Sequence, residues 1–198
     1  VNSAQYPGAA NRGKVQVFEY DGWGWTPLGA AIEGASGTGW YFGSGGCELN
    51  GKGDVLIVGT PLDGSVASSN GKVYVYHLVQ NASTGVRSWV AKGSVFTGTA
   101  GDSYGDSVAI SEDGDIIVFG ATGISNGGNT DCGGALVYEW SQSTSAWVQR
   151  GNTLFGDEID RKFGGQANLE MSSDGKYIIF GSRFSLNDDG KVMIWEWN

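Results

Sequence analysis

The chain has 198 residues, 35 of them Gly and only 3 Pro, with eight each of Trp, Tyr and Phe. Twelve Lys and Arg against 21 Asp and Glu leave a formal charge of −9. Disordered chains are poor in aromatics and rich in charge, so that class is excluded. Nucleic acid is excluded as a partner because phosphate neutralisation needs clustered Lys and Arg. No apolar run approaches the roughly 18–20 residues of a membrane helix, so no membrane span is expected. Many glycines and aromatics with few charges point to an all-β domain with many turns.

The first segment, Val1 to Arg12, is rich in small residues and has no strand pattern. It reads as an extended arm that follows either a removed leader or a preceding part of a longer chain. From Gly13 onward the chain repeats itself, and repeats decide the fold class. One strand type begins at Gly13, Gly71, Gly133 and Gly190 and is rich in Val, Tyr and Trp. A second type, apolar with a Gly near its end, occupies 54–61, 115–121 and 176–183. A third precedes it at Tyr41-Phe42-Gly43, Tyr104–Ile110 and Phe163–Leu169. A fourth starts at Trp25, Trp89 and Trp147.

Each full unit therefore reads as four strands, a to d in chain order, with d opening on the repeated Trp. Asn50-Gly51, Asp113-Gly114 and Asp174-Gly175 make the tight a–b turns. In strand c, Val15 and Val17 face one way while Phe18 and Tyr20 face the other. Both faces are apolar, so each sheet is expected to lie between two neighbours, as propeller blades do. The expected parts are a partial blade at 13–34, repeats at 39–98 and 101–156, and a partial repeat at 160–198. The fold class is a β-propeller-like array of about three to four four-stranded antiparallel blades, with terminal ones incomplete.

The strand count does not close. The chain supplies two, four, four and three strands in turn, so the first blade lacks a and b and the last lacks d. Unfinished sheet edges recruit other chains. Head-to-tail pairing of unlike ends builds open assemblies. The expected assembly surface comprises Val1, Tyr6, Val192, Ile194, Trp195 and Trp197, with other copies of the chain as partners.

The series Tyr104-Gly-Asp-Ser-Val-Ala-Ile110, Asp113-Gly-Asp-Ile-Ile-Val-Phe-Gly-Ala121 and Gly134-Ala-Leu-Val-Tyr138 resembles the FG-GAP repeat of integrin α-type β-propellers. The resemblance implies a propeller and, in many repeats of that family, calcium held by an acidic a–b loop. Here the loops 49–54, 111–115 and 172–176 are too short and carry too few carboxylates for 6–8 oxygen ligands. No cofactor is therefore expected, and Ca²⁺ is the one ion the resemblance raises.

Chemistry is sparse. The single histidine, His77, holds a place filled elsewhere by Glu19, Glu139 and Glu196, so no triad or His-based metal site is expected. Cys47 and Cys132 are expected to pair in an extracellular setting, stapling adjacent blades. Asn81-Ala82-Ser83 is a glycosylation sequon in a polar hairpin. Trp23, Trp40 and Tyr41 fall outside the repeat in Gly-rich loops, where aromatics can stack on glycans or dock a cell-surface protein. The expected function is that of a non-enzymatic extracellular assembly subunit. A monomeric lectin- or adhesion-like binding module is the alternative.

Overall fold

The computed structural model describes residues 12–34, 41–64, 68–156, 163–165, 169–182 and 190–198. Val1, Tyr6 and Trp40 lie outside them. The described residues contain strands and turns and no helix, so none of their helices could cross a membrane.

The half-blade at the start holds β1 (Lys14–Val15), β2 (Phe18–Tyr20), β3 (Trp25–Pro27) and β4 (Ile32–Glu33). The next blade runs β5 (Cys47–Leu49), β6 (Val55–Thr60), β7 (Lys72–Gln80), β8 (Arg87–Ala91) and β9 (Phe96–Thr97). A third repeats it with β10 (Tyr104–Ile110), β11 (Ile116–Ala121), β12 (Gly134–Ser141), β13 (Ala146–Gln149) and β14 (Leu154–Phe155). The last has β15 (Leu169–Met171), β16 (Tyr177–Ser182) and β17 (Lys191–Glu196). All pairing within the sheets is antiparallel, in the order β5-β6-β7-β8 and β10-β11-β12-β13.

Strand d differs from expectation. It is split, with β8 pairing the outer part of β7 and β9 its start, as β13 and β14 do on β12. The break falls at Lys92-Gly93 and Arg150-Gly151, where glycine takes φ of +82° and +76°. Only glycine adopts that backbone without strain.

The core lies between blades. Along β6, Val55 and Ile57 join a cluster with Val108, Ile117 and Phe119 of the next blade. Leu56 and Val58 join Val15, Val17 and Leu28 of the half-blade. In β11, Ile117 and Phe119 face backward while Ile116 and Val118 pack forward on Leu169, Ile178 and Phe180. Each fully buried side chain of this kind contributes about 1.5–3 kcal/mol. Every interior sheet thus needs both neighbours.

The a–b turns satisfy themselves. Ser111 Oγ donates to Asp113 Oδ1 (2.6 Å) and accepts from Ile116 N (2.9 Å). Ser172, Asp174 and Tyr177 repeat the arrangement. Asn50 Oδ1 accepts from Asp54 N and Val55 N. These turns also bond across blades, Gly51 N to Glu112 O and Glu112 N to Ser173 O.

The expected disulfide is not formed: Cys47 and Cys132 are both free thiols. Cys47 packs half-buried against the cluster shared with the half-blade. Cys132 is sealed in the following blade, its thiol 3.6 Å from the Ile124 carbonyl. Adjacent blades are already joined by apolar packing, and each cysteine serves there as a small hydrophobe. Burial pushes both thiols up.

Candidate functional site

The feature that recurs at every blade junction is a niche for an indole. At the split in strand d, a glycine with positive φ leaves its Cα bare, and the next blade lays a tryptophan on it. A Cβ on Gly29 would stand 3.2 Å from the Trp89 ring, and one on Gly93 2.7 Å from Trp147. Trp89 donates its indole N–H to Leu28 O (2.9 Å), and Trp147 donates to Lys92 O (2.8 Å). The repeated Trp of strand d therefore locks one blade to the preceding one.

The second niche is also charged. Lys92 Nζ donates to Gly114 O (2.7 Å) and Asp115 Oδ1 (2.8 Å). It lies 5.2 and 5.1 Å from the ring centroids of Trp140 and Trp147, which pack edge to face 5.2 Å apart, so the ammonium caps the pair. Both rings attract the charge.

The third niche holds one ring among the described residues. Gly151 supports Trp197, at 2.9 Å from a built Cβ, and the Arg150 guanidinium stacks 4.6 Å over that ring. Trp197 is the repeat equivalent of Trp140. A cavity beside the niche is lined by Arg150, Gly151, Leu154, Lys176, Trp195 and Trp197. Lys176 holds the repeat position of Asp115, and its ammonium lies 2.9 Å from Glu196 Oε1. Arg150 Nε and Nη1 are buried without a hydrogen-bond partner. Nε lies 3.9 Å from Glu139 Oε2, an ion pair too long for a hydrogen bond.

The same end carries an open strand. Among the described residues β17 pairs with β16 alone. Its residues alternate: Met193 and Trp195 pack on the core, whereas Val192 and Ile194 are 64% and 69% exposed. The four assembly residues within the described chain therefore divide. Val192 and Ile194 face solvent, Trp195 packs inward, and Trp197 lines the niche.

At the opposite end, the β2–β3 hairpin is tied to the next blade by Arg87, which donates to both Glu19 carboxylate oxygens. Tyr20 and Trp25 pair with ring centroids 5.4 Å apart. At the tip, Trp23 is 97% exposed. Its backbone is rigid: Asp21 Oδ1 accepts from Trp23 N and Gly24 N, each at 2.8 Å. Those bonds, Trp23 first, hold the Asp21 carboxyl below its ordinary range. Tyr41 is partly exposed at a φ of +51° and does not adjoin Trp23 in any ring contact.

Other sequence candidates are dispersed. Asn81 is exposed in the β7–β8 turn, its Oδ1 accepting from Ser83 N and Thr84 N. His77 lies half-buried in β7, opposite Val55 and Val90. Among the described residues no group of three or more His, Cys, Asp or Glu could hold a metal. Sequence reading missed two features, Arg150 and the Glu48–Glu170 pair. Burial, and then the Glu170 charge, push Glu48 up to about 7, against a backbone hydrogen bond from Ile110. Both features depend on which side chains meet across blades.

The blades define the class: this is an all-β, β-propeller-type fold. No protein-family profile matches the chain. A candidate 6-phosphogluconolactonase from Bacteroides uniformis superposes at a TM-score of 0.54 with 16% identity, over 96% of this chain and 45% of that one. That likeness bears on the fold alone. TolB from Acinetobacter baumannii gives 0.46 with 18% identity, over 96% of this chain and 36% of that one. The periodic tryptophan protein 2 homolog of Mus musculus is 35% identical over 89 residues, 45% of this chain. The chain spans 7% of that protein and less than half of each solved chain.

Proposed function

We propose that the chain is an extracellular, non-enzymatic assembly subunit that joins further copies head to tail through its incomplete terminal blades. The observation that carries this reading is β17, which among the described residues pairs with β16 alone and leaves Val192 and Ile194 exposed. Free strand edges recruit strands, and backbone bonds then supply affinity. The opposite end presents a half-blade of different structure, so the two ends are unlike, and unlike contacts propagate rather than close. The extracellular setting is supported by the exposed Asn81 sequon, which a glycan could occupy without touching a blade junction. The likeness to FG-GAP repeats is part of the same reading.

Light scattering across a dilution series tests it. The expected result is a mass that grows with concentration beyond the 20.8 kDa monomer. A monomer at every concentration, with binding on a glycan array, would shift the assignment to a lectin-like module using the exposed Trp23.

A further inference from the structure

The dipeptide Asn-Gly occurs three times, at Asn50-Gly51, Asn70-Gly71 and Asn126-Gly127. We infer that Asn126 is a site of spontaneous backbone modification, closing to a succinimide and opening to aspartate or isoaspartate, while the fold shields the other two. The chemistry belongs to a single chain and is independent of assembly.

The reaction needs only the chain and water. The Gly127 nitrogen, on losing its proton, attacks Asn126 Cγ. The new N–Cγ bond closes a five-membered ring, the Cγ–Nδ2 bond breaks, and Nδ2 leaves with the proton as ammonia. Water then opens the ring at one of its two carbonyls. Opening at Cγ gives aspartate, and opening at the backbone carbonyl gives isoaspartate. Either product adds one negative charge to a chain already at −9. Glycine in second place favours the attack, because no Cβ hinders its nitrogen and its backbone turns freely.

The attack requires a mobile carboxamide, an uncommitted glycine N–H and room to close the ring. Asn50 meets none of these. It is buried, its Oδ1 accepts from Asp54 N and Val55 N, and its Nδ2 donates to Asp54 Oδ1 at 2.8 Å. Gly51 N is committed to Glu112 O across the blade junction, and a Cβ on Gly51 would stand 2.4 Å from the Glu112 side chain. Asn70 is sealed as well, with Nδ2 donating to Gly71 O at 3.0 Å. Gly71 N donates to Asp63 O, and a Cβ there would stand 2.2 Å from Tyr104 N. Neither ring can close until a blade junction opens.

Asn126 differs on each count. It is exposed in the loop between β11 and β12. Among the described residues no hydrogen bond holds its carboxamide or the Gly127 N–H. Nothing lies within 4 Å of a Cβ built on Gly127. The turn itself is held by main chain: Asn126 N donates to Asn129 O, and Asn126 O accepts from Gly128 N and Asn129 N. Isoaspartate lengthens the main chain by one methylene at the residue that anchors all three bonds.

The test incubates the folded chain in heavy-oxygen water at mildly alkaline pH, where the deprotonated amide forms more readily. Ring opening writes one heavy oxygen into each product, and peptide mass mapping locates it. Asn126 should take up label at least about tenfold faster than Asn50 or Asn70, which react only from locally opened states. In urea the three share the same following residue and no fixed surroundings, so their rates should agree within about threefold. Asn126→Gln, which would need a larger ring, should lose the label at this position with an unchanged circular dichroism spectrum. If Asn126 in the folded chain is labelled no faster than Asn50 and Asn70, the inference falls. It falls equally if Asn126 keeps its lead in urea, because the selection is then not made by the fold.

Discussion

Trp147 donates its indole N–H to the Lys92 carbonyl at 2.8 Å, and the Lys92 ammonium returns to the same ring, 5.1 Å from its centroid. One residue pair thus joins two blades by a hydrogen bond and a cation–π contact together. Trp147→Phe keeps a ring on Gly93 but strands the carbonyl. It should cost about 1–2 kcal/mol. Trp147→Ala removes the ring as well and should cost about 3–5 kcal/mol. Urea unfolding of both variants measures the difference, and equal losses would show that the hydrogen bond is immaterial.

A second prediction concerns backbone approach. A Cβ on Gly120 would overlap the Gly164 carbonyl oxygen, beside the Ser107 Oγ that donates to that oxygen at 2.5 Å. The same contact joins Gly59 to Gly105 one blade earlier. Neither partner is a flexible side-chain end, so the blades must separate to admit a methyl group. Gly120→Ala should cost about 3 kcal/mol or prevent folding, at the upper end of overpacking effects. Gly24→Ala, with open space around it and no positive φ, serves as the control for glycine replacement itself.

Acidity should reveal the Glu48 site. Its carboxyl is raised from an ordinary 4.5 to about 7 by burial first and Glu170 second. The folded protein therefore holds this proton more tightly than the unfolded chain. Stability from this group is fully present below about 4.5, falls as pH rises, and is lost above about 7. Glu48→Gln is permanently neutral and should be the more stable protein at pH 8, with the advantage vanishing near pH 4. Thermal melts across that range, taken as variant minus parent, isolate the effect from the carboxyls that hydrogen bonds push down, such as Asp113 and Asp174. A flat difference would refute it.

Asn81 yields a modification test. Its Oδ1 is used within the turn, but the residue is exposed. Expressed through a eukaryotic secretory pathway, the chain should carry one glycan there, lost in Asn81→Gln and in Ser83→Ala. The Gln variant should also lose about 0.5–1 kcal/mol because its longer side chain no longer closes the turn. An unchanged mass in both variants counts against occupancy.

Sequence alone determined the local arithmetic. The repeated Gly13, Gly71, Gly133 and Gly190 marked the third strand of each blade, and the Asp-Gly and Asn-Gly pairs marked the hairpins, because period-two patterns and turn chemistry are read from neighbours. The same patterns showed apolar residues on both faces, which requires a sheet on either side. What tertiary structure decided is whatever needs residues about sixty positions apart to meet. The two cysteines looked like a staple by parity but lie in separate environments. The split of strand d at Lys92-Gly93 was hidden, because the turn exists to receive an indole from the next blade. Arg150 carries no local pattern that sets it apart. It is buried against Trp197 only because the chain brings the end of the last strand back onto the preceding blade.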